Sequence, residues 1–159
     1  DLSVLEYEVV PGGYRIKAQG AAADSSPWTA SGSGEKTFSF KKFPVLDLII
    51  DVKKLVMKPG RELHNVAGNM HCNAEFCQDA DIVGEAGKPF HFRISQSAGP
   101  GRSVFLQAED AGALLNGSGV YDNMRGGSLG LDAVFDDTKP ERPLAGTLNI
   151  RDFTIIKSH

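Results

Sequence analysis

The residue types best suited to hold a metal ion lie within one short stretch of the chain. His64, His71, Cys72 and Cys77 are all of the kinds that bind zinc in proteins. Their spacing is unfavourable, because structural zinc sites usually take their ligands as two close pairs, and Cys-x₄-Cys beside an adjacent histidine does not form that pattern. We therefore expect no metal and no cofactor.

The acidic pair Glu109–Asp110 is the next candidate for chemistry, as a general acid and base. Adjacent residues of a strand point in opposite directions, so the two carboxylates would not converge on one substrate. Asp110 is better suited to cap a helix, because its side chain can accept a backbone N–H at the start of a following helix. Such a cap stabilises a helix by about 1 kcal/mol. The chain also lacks G-x-S-x-G, P-loop and H-E-x-x-H motifs. We expect a protein that is not an enzyme.

The two cysteines leave their redox state open. On one continuous strand, the odd separation of Cys72 and Cys77 would point them to opposite faces, which predicts free thiols or a mixture rather than a complete disulfide. A bulge or turn near residues 75–78 would remove that objection. A disulfide would then be plausible in an oxidising compartment.

Charge and length narrow the class of protein. The 159 residues carry a net charge of −3, with 17 basic residues scattered among 20 acidic ones and no block of one sign. This pattern disfavours nucleic-acid binding. The length suits one domain with a core of its own, and no apolar run approaches the ~18 residues that a membrane-spanning helix needs.

Most of the chain alternates between apolar and polar residues, which is typical of strands with one buried face. Val4–Val10 and Tyr14–Ala18 flank a turn signal at residues 11–13, and Pro59–Gly60 is a second turn signal. Residues 20–27 are expected to form a loop. A second pair is expected at Trp28–Ser33 and Lys36–Phe40. Further alternating segments occupy residues 46–53, 62–76, 90–95, 103–108, 128–135 and 144–151.

One segment has the features of a helix. Asp110 can cap residues 111–115, which favour helix, and Gly117 and Gly119 end it. The apolar parity of the last strand slips after Asp152, which suggests a bulge or a strand that changes its exposure. Because the connections are short, we expect antiparallel pairing. The predicted fold is mainly β: a curved, meandering, groove-like antiparallel sheet with one short helix near residues 110–116.

Three segments together resemble the C-terminal region of AsmA-like proteins. These are the helix, glycine-rich turn and leucine-alternating strand of Ala108–Phe135, the strand of Pro143–Ile156, and the strand pair of Leu46–Asn73. The resemblance is one of ordered pattern, and it covers residues 44–156.

The resemblance implies a role in the bacterial envelope. AsmA-like proteins are anchored in the inner membrane, extend through the periplasm, and are thought to carry phospholipids toward the outer membrane along an apolar β-sheet groove. Residues 1–159 would then form a single β-rich module of a much longer chain, with phospholipid and other envelope proteins as its partners. The alternative is a closed β-rich binding or scaffolding module of the envelope with no lipid path.

The strands provide the candidate site residues for this function. Arg125, in the glycine-rich turn, would meet a headgroup phosphate; pairing with Asp122 or Asp110 is its structural alternative. The residues expected to face lipid are Leu48, Ile50, Phe90, Phe92, Ile94, Leu129, Leu131, Leu148 and Ile150.

Overall fold

The structure, a computed structural model, describes residues 2–25 and 45–157 as nine strands and one helix. The strands predicted at Trp28–Ser33 and Lys36–Phe40 lie outside these residues. The elements are β1 (Leu2–Val10), β2 (Gly13–Asp24), β3 (Val45–Lys58), β4 (Arg61–Cys72), β5 (Cys77–Ala86), β6 (Lys88–Gln96), β7 (Gly101–Ala108), α1 (Ala111–Gly117), β8 (Met124–Asp136) and β9 (Leu144–Ile155).

All nine strands belong to one sheet, and their order across the sheet is their order along the chain. The fold is therefore mainly β and meandering, as predicted. Seven of the eight strand pairs are antiparallel. β2 and β3 are parallel, so the prediction of a wholly antiparallel sheet is wrong at this pair. A parallel pair needs a connection of about a dozen residues or more, and residues 25–44 provide one.

The turn signals hold where the structure describes them, but two strand boundaries differ from the prediction. β1 and β2 meet at Pro11–Gly12, and β3 and β4 at Pro59–Gly60, where Gly60 has a φ of 74°. The loop predicted from residue 20 is wrong, because β2 continues to Asp24 alongside β3. Small alanines follow Gly20 without alternation, so nothing in the pattern indicates a strand there.

β5 has no counterpart in the prediction. Its inward side chains include Ala80 and Ala86, which are too small to give a clear apolar period beside Asp79 and Asp81. The strand predicted to run to residue 76 instead ends at Cys72, and residues 73–76 form the turn into β5.

Residues paired across neighbouring strands share a face of the sheet, and one face is apolar from edge to edge. We call this the apolar face. The opposite face, the polar face, carries charged and polar groups such as Arg15, Asp47 and His71. The apolar face is defined by the cross-strand row Leu5, Ala18, Ile50, Gly68, Ile82, Phe92, Leu106, Leu131 and Leu148.

The helix α1 packs on the apolar face and begins where the sequence predicts. The Asp110 carboxylate accepts the Ala113 backbone N–H at 2.9 Å, which is the expected cap. Ala111 and Leu114 are buried against β3, β4, β6 and β8 in the larger of two core clusters. The smaller cluster, Ala80, Ile94 and Val104, lies further along the same face.

The last strand is irregular at the predicted place. Asp152 has a φ of 58°, a conformation that few non-glycine residues adopt. It lies between two register pairs, Ser128 with Arg151 and Gly126 with Phe153. The register is the same on both sides, so no extra residue is inserted, and the left-handed backbone at Asp152 accounts for the slip in apolar parity.

Candidate functional site

An apolar trough lies between α1 and the apolar face. It has a volume of about 670 Å³ and is open to solvent along one side. Among the described residues, its lining is apolar except for Asp24, Ser25 and Ser118. The size and the apolar lining of the trough suit a large apolar ligand.

Seven consecutive strands contribute to the trough. Leu5 of β1 and Leu106 of β7 both line it, together with residues of every strand between them and of α1. Neighbouring strands lie about 4.8 Å apart, so a flat sheet would separate β1 from β7 by roughly 29 Å. The trough therefore runs across seven of the nine described strands, with α1 along it.

The predicted lipid-facing residues differ in where they lie. Leu48, Ile50, Phe90 and Phe92 line the trough, and Ile50 and Phe90 also belong to the larger core cluster. The remaining five lie elsewhere on the apolar face. Ile94 and Leu129 are buried in the core clusters, Leu131 and Ile150 pack partly buried against those clusters, and Leu148 is 57% exposed on the edge strand β9.

Sequence reasoning missed more of the lining than it found. Ile82 belongs to the strand that the pattern concealed, and Leu114 and Leu115 belong to the helix, which was interpreted only through its cap. Leu55 and Met57 are odd-numbered, whereas Leu48 and Ile50 are even-numbered, so the apolar parity of β3 changes beyond Val52, where the facing strand contains Asn65 with a φ of 48°. Only the helix gave a usable signal, because a short apolar helix beside a one-faced sheet must pack somewhere.

Arg125 does not lie at the trough. It is exposed in a separate recess, which it shares with Glu62, Asp110 and Asp122. The helix divides the two, because its two sides line different cavities. The expected ion pairs are also absent among the described residues: Asp122 pairs with Arg61 at 3.0 Å, and Asp110 caps α1.

The described lining of the trough carries almost no charge. Within the described part of the lining, Asp24 is the only residue of formal charge, and no cationic side chain is present. Ser25 donates its hydroxyl to the Val56 carbonyl at 2.8 Å, at one end of the trough. The trough can therefore bind through apolar contact and has no clamp for an anion.

A disulfide joins Cys72 and Cys77. The prediction of free thiols or a mixture is therefore wrong, and its premise of one continuous strand fails. The chain turns at residues 73–76, where the Asn73 side chain accepts the backbone N–H groups of Glu75 and Phe76. The two cysteines consequently lie opposite each other on β4 and β5.

A buried arginine, Arg102, lies beside the disulfide. Arg102 is 3% exposed and donates to the Asp137 carboxylate at 2.8 and 2.9 Å and to the Cys77 carbonyl at 2.6 Å. Its guanidinium lies between the rings of Phe76 and Phe135, at 4.1 and 4.3 Å from their centroids. These hydrogen bonds from Arg102 hold the pKa of Asp137 below its ordinary value. With its donors engaged inside the protein, Arg102 has a structural role.

No known protein family, curated protein or solved structure matches this chain.

In residues 2–25 and 45–157, no group of three or more histidine, cysteine or acidic side chains is arranged to hold a metal ion. The helix found in the same residues is too short to cross a bilayer. The trough remains the candidate site.

Proposed function

We propose that this chain is a segment of an AsmA-like envelope protein, whose trough holds phospholipid acyl chains on a path between the inner and outer membranes. The observation that carries the proposal is the open trough, lined by apolar side chains from β1 to β7. The protein acts by binding, and no catalytic step is assigned to it.

Apolar contact alone is sufficient to hold a lipid. Each methylene removed from water contributes ~0.8 kcal/mol, so a chain of several methylenes needs no polar clamp. A smooth apolar wall without cations also suits a ligand that moves along it. The headgroup would stay in solvent at the open side.

The disulfide supports the proposed compartment. Stable disulfides persist in oxidising environments such as the bacterial periplasm and are rare in the cytosol. Cys72 and Cys77 are bonded, and no other cysteine is present in the sequence. A periplasmic location, with the parent chain anchored in the inner membrane and contacting other envelope proteins, fits this chemistry.

The rival function is a closed scaffolding or binding module. The burial of Ile94 and Leu129 in core clusters favours it, because these residues were expected to face lipid. The two functions differ in whether the trough takes up lipid. Native mass spectrometry of protein purified from bacteria should show bound phospholipid in the first case and none in the second.

Phe92→Glu is the variant that tests the trough itself. Phe92 lines the trough and is half-buried, so a carboxylate there remains hydrated but opposes an acyl chain. We expect folded protein with about tenfold or more weaker binding of a phospholipid that carries a fluorescent acyl chain.

Phe105→Glu is the matched control for this variant. Phe105 pairs with Arg93 on the polar face of the same two strands, away from the trough. It should leave lipid binding unchanged. Global unfolding by Phe92→Glu would favour the closed module, and a folded Phe92→Glu variant that binds lipid normally would exclude the trough as the lipid path.

A further inference from the structure

Both edges of the sheet expose apolar side chains. Among the described residues, β1 and β9 each have a neighbour on one side only. Val9 is 71% exposed and Leu148 57%, and both belong to the apolar face. An edge strand also presents unpaired backbone N–H and C=O groups, which makes it a template for another strand.

The two edges match in direction. Strand direction reverses at each of the seven antiparallel pairs and is kept at the one parallel pair, so β9 runs opposite to β1. If a second copy is placed beside the first with its apolar face on the same side, β1 of that copy lies antiparallel to β9. The apolar face then continues across the junction.

The backbone groups match as well. The Asp136 N–H donates to the Pro143 carbonyl at 2.9 Å, so the odd-numbered residues of β9 before Asp152 direct their backbone groups to β8. By the alternation of an antiparallel ladder, Leu148 and Ile150 direct theirs outward. A half-turn about an axis perpendicular to the sheet would place β9 where β1 lies, with the direction of β1, and would leave the apolar face on the same side. Residues of β1 that belong to the apolar face, such as Val9, therefore also direct their backbone groups outward.

Charge favours a register in which Arg151 lies opposite Glu6, because Glu8, the other acidic residue of β1, already pairs with Arg15 at 3.1 Å. With Arg151 opposite Glu6 on the polar face, Ile150 lies opposite Tyr7 and Leu148 opposite Val9 on the apolar face. Opposite charges directly across a strand pair are stabilising, and apolar partners on the other face add to this.

Like-to-like pairing of edges is less favourable. Two antiparallel β1 strands centred on Tyr7 would place Glu6 opposite Glu8, which is repulsive. Two β9 strands centred on Ile150 would place Arg151 opposite the neutral Asn149. Only the unlike pair gives Arg151 an acidic partner.

We propose that β9 of one copy binds β1 of a second copy as an antiparallel neighbour, so that copies of this chain associate head to tail. Because each copy keeps one free edge of each kind, association does not stop at a dimer. This inference is independent of lipid binding.

The first test is sedimentation velocity of the 159-residue chain from micromolar to near-millimolar concentration. Head-to-tail pairing predicts a mean mass that rises with concentration through dimer to larger species. A monomer throughout this range would overturn the proposal, as would a dimer that does not grow.

Charge reversal identifies the pair of edges. Glu6→Arg and Arg151→Glu should each weaken association about tenfold, and an equimolar mixture of the two variants should restore it. Dimers of two β9 strands would be insensitive to Glu6→Arg, and dimers of two β1 strands to Arg151→Glu. Either insensitivity, or a mixture that does not recover, contradicts the proposal.

Leu148→Pro tests the backbone contact. Its N–H points away from β8, so proline there should keep the sheet folded but remove an outward donor. Circular dichroism checks the fold. A folded Leu148→Pro variant that associates like the original protein would contradict strand pairing, while the charge-reversal series decides the matter if this variant does not fold.

Discussion

Among single residues, Arg102 carries the densest set of polar contacts. It lies on the apolar face, in register with Phe135, one residue before the strand predicted from residue 103. The structure satisfies the buried charge with a two-pronged contact to Asp137 and with two aromatic rings. Basic residues on an apolar parity are therefore a sequence signal for a buried ion pair, provided that aromatic residues and an acid are near.

Arg102→Lys should be strongly destabilising although it keeps the charge. Lysine cannot reproduce the planar, two-pronged contact with Asp137 or the stacking between rings. We expect a loss of about 2–3 kcal/mol in the free energy of unfolding, measured by urea titration. Arg93→Lys, at an exposed arginine over Phe105, is the control and should cost less than about 1 kcal/mol. Equal losses in the two variants would refute the structural role of Arg102.

The same ion pair gives a pH dependence of known sign. The pKa of Asp137 is lowered from 3.8 by its hydrogen bond from Arg102, so the folded state favours the ionised form. The resulting stability is present above the unfolded pKa and is lost as pH falls through the lower, folded pKa. Urea titrations below about pH 4 should show this loss. Asp137→Asn should be less stable at neutral pH and should lose less on acidification; an unchanged acid dependence would contradict the assignment.

At the scale of elements, the position of α1 depends on a close approach between its backbone and the backbone of the sheet. A Cβ on Gly112 would lie 2.6 Å from the Met124 carbonyl oxygen, and one on Gly117 2.7 Å from that of Glu62. The helix can therefore lie directly on β8 and β4 only because glycine occupies both positions. Helix propensity alone would favour alanine there by about 1 kcal/mol.

Gly112→Ala and Gly117→Ala should each destabilise the protein despite that gain. Displacing backbone in a packed contact typically costs about 1–3 kcal/mol, and we expect a net loss in thermal unfolding. Gly130→Ala is the matched control, because no atom lies within 4 Å of its Cβ position. It should change stability by less than about 0.5 kcal/mol. A gain in stability at either helical position would show that the helix does not need this approach.

Position across the sheet decides what a charge does on the apolar face. Leu129 and Leu148 both belong to the apolar face, but Leu129 is 5% exposed and Leu148 is 57% exposed. Leu129→Asp buries an unpaired carboxylate and should cost about 4 kcal/mol or unfold the chain. Leu148→Asp, measured in dilute solution, should cost less than about 1 kcal/mol. Similar losses would mean that β9 is covered.

At the scale of the whole molecule, the sequence predicted what local patterns encode. Alternation predicted the apolar face, turn residues predicted two strand connections, and the Asp110 cap predicted the helix. Four trough residues were also found in this way, Leu48, Ile50, Phe90 and Phe92.

The remaining features depend on partners distant in the sequence. The parallel pairing of β2 with β3 follows from the path of a connection, which no local pattern reports. β5 was concealed because its inward residues are small, and the disulfide because a turn interrupts the expected strand. Alternation assigns a side chain to a face but cannot say whether that part of the face is core, trough or edge, which is why Ile94 and Leu148 were placed with Phe92.

The bridging position of α1 has a dynamic consequence. Within the described residues, each strand packs chiefly on its neighbours in the sheet, whereas the helix contacts β4, β5, β8 and β9 together. Strands tied by the helix should open as one cooperative unit, and β1 should fray first. Amide hydrogen exchange should accordingly be fastest in β1 and slowest in β5–β7, and uniform protection would contradict this. A ligand in the trough would join the fraying side to the helix-bound unit, so it should slow exchange in β1–β3 more than in β8.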